Sequence, residues 1–298
     1  MRDSATIRTM RHGILGVGGV GGFLGGALAR AGPDVVLLMR PETLAAYQGR
    51  LHVESVVLGD VHVDVPATSA LDRELDVLWV TPKATQLESA LELVPADRLG
   101  DCVVIPLLNG LDHVGVLRER FGERVLAASI AIESERADVG RFRQRSAFAE
   151  VALAPDARSA QICAELTDAG LGCRVGASEA EVLWQKLAVL APIALTTTAR
   201  EAPLSAVVAD PAWRSRLEGC VREVAAVAGA EGVAFDADAA MSRYEQIGDL
   251  RSSMQKDREA GRPLELDAIG GAVLRAAGRH GVDAPVTQEL VDRIARNT

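Results

Sequence analysis

The apolar positions of this chain change rhythm near residue 176. Before that point, short apolar runs alternate with amphipathic stretches and with breaks rich in glycine, proline and aspartate. They predict strands over 12–17, 35–39, 51–57, 61–65, 76–80, 102–108, 125–132, 140–145, 147–153 and 172–175. Helices are predicted over 20–31, 41–48, 84–93, 114–120 and 155–169. The runs at 51–57 and 61–65, separated by Gly59-Asp60, predict a hairpin-like excursion from an otherwise parallel pattern. After residue 176 nearly everything has helical spacing: 179–198, 211–228, 237–247, 267–280 and a terminal helix from Pro285. The reading is an α/β chain with one domain over 1–177 and an all-helical domain over 178–298. A small substrate is expected in a cleft between them.

The first break carries chemistry. Gly16, Gly18 and Gly21 have the G-x-G-x-x-G spacing, with Val17, Gly19 and Val20 between them, directly after the first strand. The first glycine permits a tight turn, the second leaves room for a pyrophosphate, and the third lets the helix pack close to the sheet. The helix start then offers N–H groups and a partial positive charge to phosphates. With strand, loop, helix and second strand in order, the N-terminal domain is read as a Rossmann-type nucleotide-binding fold. The second strand ends at Met39-Arg40 rather than in an acid, which favours a 2′-phosphate and therefore NADPH over NADH.

A secretory signal is the rival for the same stretch. Arg2, Arg8 and Arg11 precede the apolar segment, and Ala27-Leu28-Ala29 has the form of a cleavage site. Seven glycines from Gly16 to Gly26 make a poor helical signal core, however, so the nucleotide reading is preferred. Residues 1–10 are expected to fray.

Composition narrows the field. The chain has 298 residues, 48% hydrophobic, enough for two cores. A net charge of −9 argues against nucleic acid or an anionic membrane as the main partner. The longest nearly unbroken apolar run, 187–198, contains Pro192 and is too short to span a bilayer. The four cysteines (Cys102, Cys163, Cys173, Cys220) lie in apolar neighbourhoods without C-x-x-C spacing, so buried thiols in a reducing cytoplasm are expected. The five histidines are scattered without ligand spacing, and no metal site is expected. The apolar stretch 225–233 is a candidate face for a homodimer.

Four further positions are candidates. Lys83 follows a buried strand, and Asn109-Gly110 follows another, where ligands of open α/β sheets lie. Lys83 reads equally well as a solvated helix start. Lys186 sits among Trp184, Leu187 and Val189, where apolar walls disfavour its ammonium form and make it a usable proton donor. On the bare sequence a lysine whose head reaches water is the stronger reading. Glu265 and Asp267 begin a helix after the turn Gly261-Arg262-Pro263, where acids are favoured by the helix dipole.

In this order the features resemble the 2-dehydropantoate 2-reductase (ketopantoate reductase) family from about Gly13 to Leu290. The resemblance lies in the Gly16–Gly21 loop, Lys83 with Gln86, Asn109-Gly110, Trp184-x-Lys186-Leu187, and Ser253-Met254-x-x-Asp257-x-x-x-Gly261-Arg262-Pro263-x-Glu265-x-Asp267. It implies NADPH-dependent reduction of a 2-oxo acid, in pantothenate biosynthesis. It also implies Lys186 as general acid, Glu265 orienting Lys186 or the cofactor, and Ser253 on the substrate carboxylate. Arg40 would hold the 2′-phosphate, and Lys83 and Asn109 would contact cofactor or substrate. The family usually has asparagines four and eight residues beyond the lysine. Here those substrate-facing positions are Leu190 and Ala194, and a third falls near Leu204, which implies a more apolar pocket and a substrate other than ketopantoate. A non-catalytic NADPH-binding sensor or assembly partner, or a reductase of imines or other substrates, is the alternative.

Overall fold

In a computed structural model, residues 9–296 are described, so the expectation of fraying falls mainly on residues 1–8, outside the described residues. The chain divides into two compact units. The first comprises the chain up to Leu108 together with Val116–Gly176; the second comprises Asn109–Gly115 and the chain from Ala177 onward. Asn109–Gly115 thus groups with the helical unit, although the sequence reading placed it in the first domain.

The first unit opens β1 (Arg11–Leu15), α1 (Gly19–Ala31), β2 (Asp34–Leu38), α2 (Pro41–Ala46), β3 (Arg50–Ser55), β4 (Gly59–Asp64), β5 (Ala67–Thr68) and β6 (Val77–Val80). It continues through α3 (Leu87–Leu91), β7 (Val103–Pro106), α4 (His113–Phe121, in this unit from Val116 onward), β8 (Ala128–Ala131), β9 (Ser134–Asp138), β10 (Arg141–Gln144), β11 (Glu150–Leu153), α5 (Ser159–Asp168) and β12 (Gly172–Val175). The central sheet is wholly parallel in the order β5-β2-β1-β6-β7. Strand β1 lies in its middle and is buried from His12 to Leu15. A second sheet has the order β4-β3-β10-β9, and the expected hairpin is its β3–β4 pair. A third, β12-β11-β8, completes the unit.

Helix α1 lies between the first two sheets, which accounts for its glycine content. A Cβ at Gly19 would stand 2.2 Å from the Ser134 carbonyl oxygen, at Gly22 2.2 Å from the Phe142 ring, and at Gly26 2.7 Å from Val53. These three positions form one helical stripe against the second sheet. Gly21 and Gly25 form another, close to Ile14 and Leu37 of the first sheet. Helix-forming residues would gain intrinsic propensity here but would not fit.

The second unit contains α6 (Glu179–Arg200), α7 (Leu204–Ala209), α8 (Pro211–Ala230), α9 (Ala237–Tyr244), α10 (Ser253–Glu259), a π-helical turn (Asp267–Gly271), α11 (Ala272–His280) and α12 (Pro285–Arg296). Ser178 caps α6 by accepting a hydrogen bond from the Glu181 N–H, and the Glu181 carboxylate reaches back to the Ala177 N–H. Pro192 does not end α6, which continues for eight residues beyond it to Arg200. At 22 residues α6 is long and apolar enough to cross a bilayer, contrary to the length expected from sequence. It is instead the mostly buried centre of a helical core. Trp184, Leu187, Ala188, Ala191 and Leu195 pack with Val224 and Val227 of α8 and Leu290 and Ile294 of α12.

Three expectations are corrected. The helix expected over 84–93 is a 3-10 turn (Ala84–Gln86) followed by α3. Of the candidate dimer face at 225–233, Val227 and Ala228 are fully buried and Val233 nearly so, which leaves only Ala226, Gly229, Ala230 and Gly232 exposed. Cys163 of α5 and Cys173 of β12 are only partly buried and form a disulfide. Cys102 and Cys220 are buried thiols, each pushed up to about 12 by burial.

Candidate active site

In the first unit, the glycine loop joins β1 to α1. Gly16 has φ +88°, and a side chain there would strike Pro82, so the loop lies against the turn after β6. The Thr81 hydroxyl fastens that contact by donating to the Gly16 carbonyl at 2.6 Å. Gly18 differs from its neighbours, because among the described residues nothing lies within 4 Å of where its Cβ would be. Helix α1 begins there with neither a side-chain cap nor an acid in its first turn. Open space beside an uncapped helix start fits a dinucleotide's pyrophosphate.

The other expected cofactor residues ring this loop at strand ends. Arg40 is exposed directly after β2 and precedes Pro41 of α2. Lys83 is half-buried in the turn after β6, one residue beyond Pro82. No acid stands at the end of β2, since Asp34 is the strand's first residue.

In the second unit, Lys186 projects from the second turn of α6 between buried Trp184 and Leu187 and is itself half-buried. Burial lowers it from its ordinary value to about 8, and the Glu265 carboxylate opposes that shift. Glu265 is buried and accepts a hydrogen bond from the Asn109 side-chain amide at 3.0 Å. The backbone enforces this meeting. Gly110 has φ +90°, and a Cβ there would lie 2.1 Å from the Ala268 carbonyl oxygen, so the Asn109-Gly110 turn packs directly on the π-helical turn after Glu265. Extra residues of this kind within helices recur at functional sites. Lys186, Glu265 and Asn109 are therefore brought together, and Asn109 is committed to Glu265.

The remaining substrate candidates are not gathered there by any contact described. Ser253 is exposed at the start of α10, while its neighbour Ser252 is the buried cap, bonded to the Gln255 N–H and the Thr197 hydroxyl. Leu190 is half-buried one turn beyond Lys186. Ala194 is 1% exposed inside the helical core, which leaves it no free face for a ligand.

Two groups of residues escaped the sequence reading. His113, four residues after Asn109, is buried, and neither ring nitrogen has a hydrogen-bond partner among the described residues. Burial, then the Lys186 charge, push it down to about 4, against the pull of Asp112. The only sequence signal was a polar residue among Leu111, Val114 and Val116. His52 and His62 are also not scattered. They stand opposite each other across the β3–β4 hairpin, their rings stacked at 4.1 Å. Both bond Asp60, at 2.6 and 3.3 Å, with all three ligand atoms within 4.8 Å of one another. Period-two register about the turn at residues 56–58 was the signal that would have paired them.

A parallel sheet with a glycine loop shaped for a dinucleotide, and a helical unit carrying a half-buried lysine beside a buried glutamate, define an oxidoreductase that uses a nicotinamide dinucleotide. The chain belongs to the ketopantoate reductase family: residues 12–156 match the model "Ketopantoate reductase PanE/ApbA" and residues 180–297 match its C-terminal counterpart. It is 29% identical to an uncharacterized oxidoreductase, YkpB, of Bacillus subtilis, over 94% of this chain and 96% of that protein. It is 27% identical to the 2-dehydropantoate 2-reductase of Halobacterium salinarum, over 96% and 98% of the two chains. The crystal structure of 2-dehydropantoate 2-reductase from Geobacter metallireducens superposes with a TM-score of 0.89 at 27% identity, covering 97% of this chain and all of that one.

Proposed function

We propose that this chain reduces the 2-oxo group of a 2-oxo acid or related ketone to a hydroxyl, with NADPH as hydride donor and Lys186 as proton donor. The observation that carries this reading is the half-buried Lys186, lowered to about 8 and coupled to a buried Glu265. An ammonium so poised transfers its proton near neutral pH, whereas an ordinary exposed lysine holds it too tightly.

The glycine loop from Gly16 to Gly21 takes the pyrophosphate, Arg40 the 2′-phosphate, and Lys83 lies at the neighbouring strand end. NADPH bound there supplies the hydride. Lys186 places positive charge where negative charge develops on the substrate oxygen and delivers a proton to that oxygen, after which its amine regains a proton from water. Glu265 keeps the ammonium form populated, and Asn109 holds Glu265 in place. Leu190 gives the substrate's other end an apolar wall, so the preferred substrate is more apolar than a polyhydroxylated 2-oxo acid. Ser253 is assigned to the carboxylate end only by the family resemblance.

The test is NADPH oxidation over a panel of 2-oxo acids and ketones. Turnover favouring branched or aromatic 2-oxo acids supports the reading. Saturable NADPH binding with no turnover on any of them overturns it in favour of a non-catalytic nucleotide-binding protein.

A further inference from the structure

The outer face of the β3–β4 hairpin holds a cluster that the proposed reaction does not use. Leu51, Val53 and Val61 are buried, with Leu51 and Val53 against α1, so His52, Glu54, Asp60 and His62 lie on the opposite face. His52 and His62 are register partners. The His52 N–H donates away from β4, to the Gly140 carbonyl at 2.8 Å, so the two histidines exchange no backbone hydrogen bonds. Pairs of that kind bring their side chains closest, which accounts for the stacked rings. The turn that joins the strands is tied down. The Ser55 hydroxyl accepts from the Val57 and Leu58 N–H groups and donates to Gln144 at 2.8 Å.

Asp60 is served differently from the other acids on this face. Asp64 takes Arg50, and Glu54 takes Arg143. Asp60 instead meets two imidazole nitrogens, of His52 at 2.6 Å and of His62 at 3.3 Å. At an exposed position this convergence gains little by itself, because water would serve each group as well and ordering three side chains costs entropy.

We propose that His52, Asp60 and His62 bind a divalent transition-metal ion of the zinc class. Two imidazoles and a carboxylate suit such an ion, whereas Mg²⁺ and Ca²⁺ prefer oxygen ligands throughout. With zinc bonds of about 2.0–2.1 Å in a tetrahedron, ligand atoms stand about 3.3 Å apart. Here the three ligand atoms already lie within 4.8 Å of one another, and Asp60 and His62 are more than half exposed and free to close the remainder. The bond to His52 above all holds the Asp60 carboxyl below its ordinary range, so it is present as carboxylate. The ion takes the place of the protons by which the rings now bond Asp60, and those protons pass to the other ring nitrogen or to solvent. An open hollow of about 410 Å³ beside the cluster, lined by His52, Glu54, Ser55, Gly59 and Asp60, gives the ion access and leaves a fourth position to water. Arg141, the register partner of His52 on β10, is a neighbouring positive charge that limits the affinity. Bound there, the ion ties β3 to β4 at a pair with no backbone hydrogen bonds. The site lies within the first unit and does not depend on the reaction proposed above.

The experiment is calorimetric titration with Zn²⁺ of the untagged full-length protein, first dialysed against a chelator. His52→Gln, Asp60→Asn and His62→Gln are compared with a control, His280→Gln, whose ring bonds Glu231 in the second unit. The wild-type protein and the control should take up one equivalent with the same affinity. Each of the three variants should lose at least about tenfold in Zn²⁺ affinity. Their metal-free Tm should stay within about 2 °C of wild type, as for surface substitutions, and their NADPH affinity should not change. Mg²⁺ should give no saturable binding. Undiminished Zn²⁺ affinity in Asp60→Asn and His62→Gln overturns the assignment, as does the absence of Zn²⁺ uptake by the wild-type protein. Mg²⁺ bound as tightly as Zn²⁺, or a loss in all three variants together with a lowered metal-free Tm, overturns it as well.

Discussion

At the scale of single residues, burial decides how readily a cation gives up its proton. Lys186 lies between Trp184 and Leu187, and the loss of water around it disfavours its charged form more than Glu265 can restore. Lys186→Ala should lower kcat by roughly 10²- to 10⁴-fold, the range for a positioned acid, with NADPH affinity unchanged; steady-state rates beside fluorescence titration of the nucleotide check this. Arg40 is exposed at the end of β2, where no acid competes for the ribose. Arg40→Ala should weaken NADPH roughly 10- to 100-fold and leave NADH within about twofold, measured by the same titration. The sequence singled out Arg40 by its place after a strand, whereas the apolar neighbours of Lys186 alone favoured a lysine reaching water and only the family resemblance made it the acid. His113 was not singled out, because a lone histidine in an apolar run has the same pattern whether or not its nitrogens find partners.

At the scale of elements, α1 separates two uses of glycine. Gly22 faces Phe142 with no room for a methyl, whereas Gly18 faces open space. Gly22→Ala should therefore lower Tm, since overpacking costs about 1–3 kcal/mol and outweighs the gain in helix propensity. Gly18→Ala should leave Tm unchanged and weaken NADPH at least about tenfold, because the added methyl would enter only the space proposed for the phosphate. Thermal melts with and without nucleotide distinguish the two. The G-x-G-x-x-G spacing was visible in the sequence, but the second glycine stripe, Gly19, Gly22 and Gly26, has no meaning until β3 and β10 are seen to cover α1. The short segments β9 and α10 were hidden by their polarity, and α7 by its length of six residues. The π-helical turn at Asp267–Gly271 has the sequence of an ordinary helix and is revealed only by the close packing of Gly110 on Ala268.

At the scale of the whole molecule, the change of rhythm near residue 176 separates the two units, and only the segment Asn109–Gly115 crosses the division expected from sequence. Local patterning finds units that are continuous along the chain, and a short insertion such as this one is set by tertiary contacts. The proposed cofactor residues lie in one unit and the proposed proton donor in the other, so the two functions should fail independently. NADPH at about 100 times its Kd should stabilise the protein by about 2.7 kcal/mol, and by the same amount in Lys186→Ala, in matched thermal melts.

Whether Lys186 gives up the proton is read from kcat/KM against pH for the wild-type protein and Glu265→Gln, with NADPH and the best 2-oxo acid. The ammonium is the active form, so activity should be level below pH 8 and fall roughly tenfold per unit above it. Removing the Glu265 charge withdraws the one influence that raises Lys186, so the falling limb should move to lower pH. A limb that stays in place in Glu265→Gln, or a profile with no limb near 8, would contradict the account.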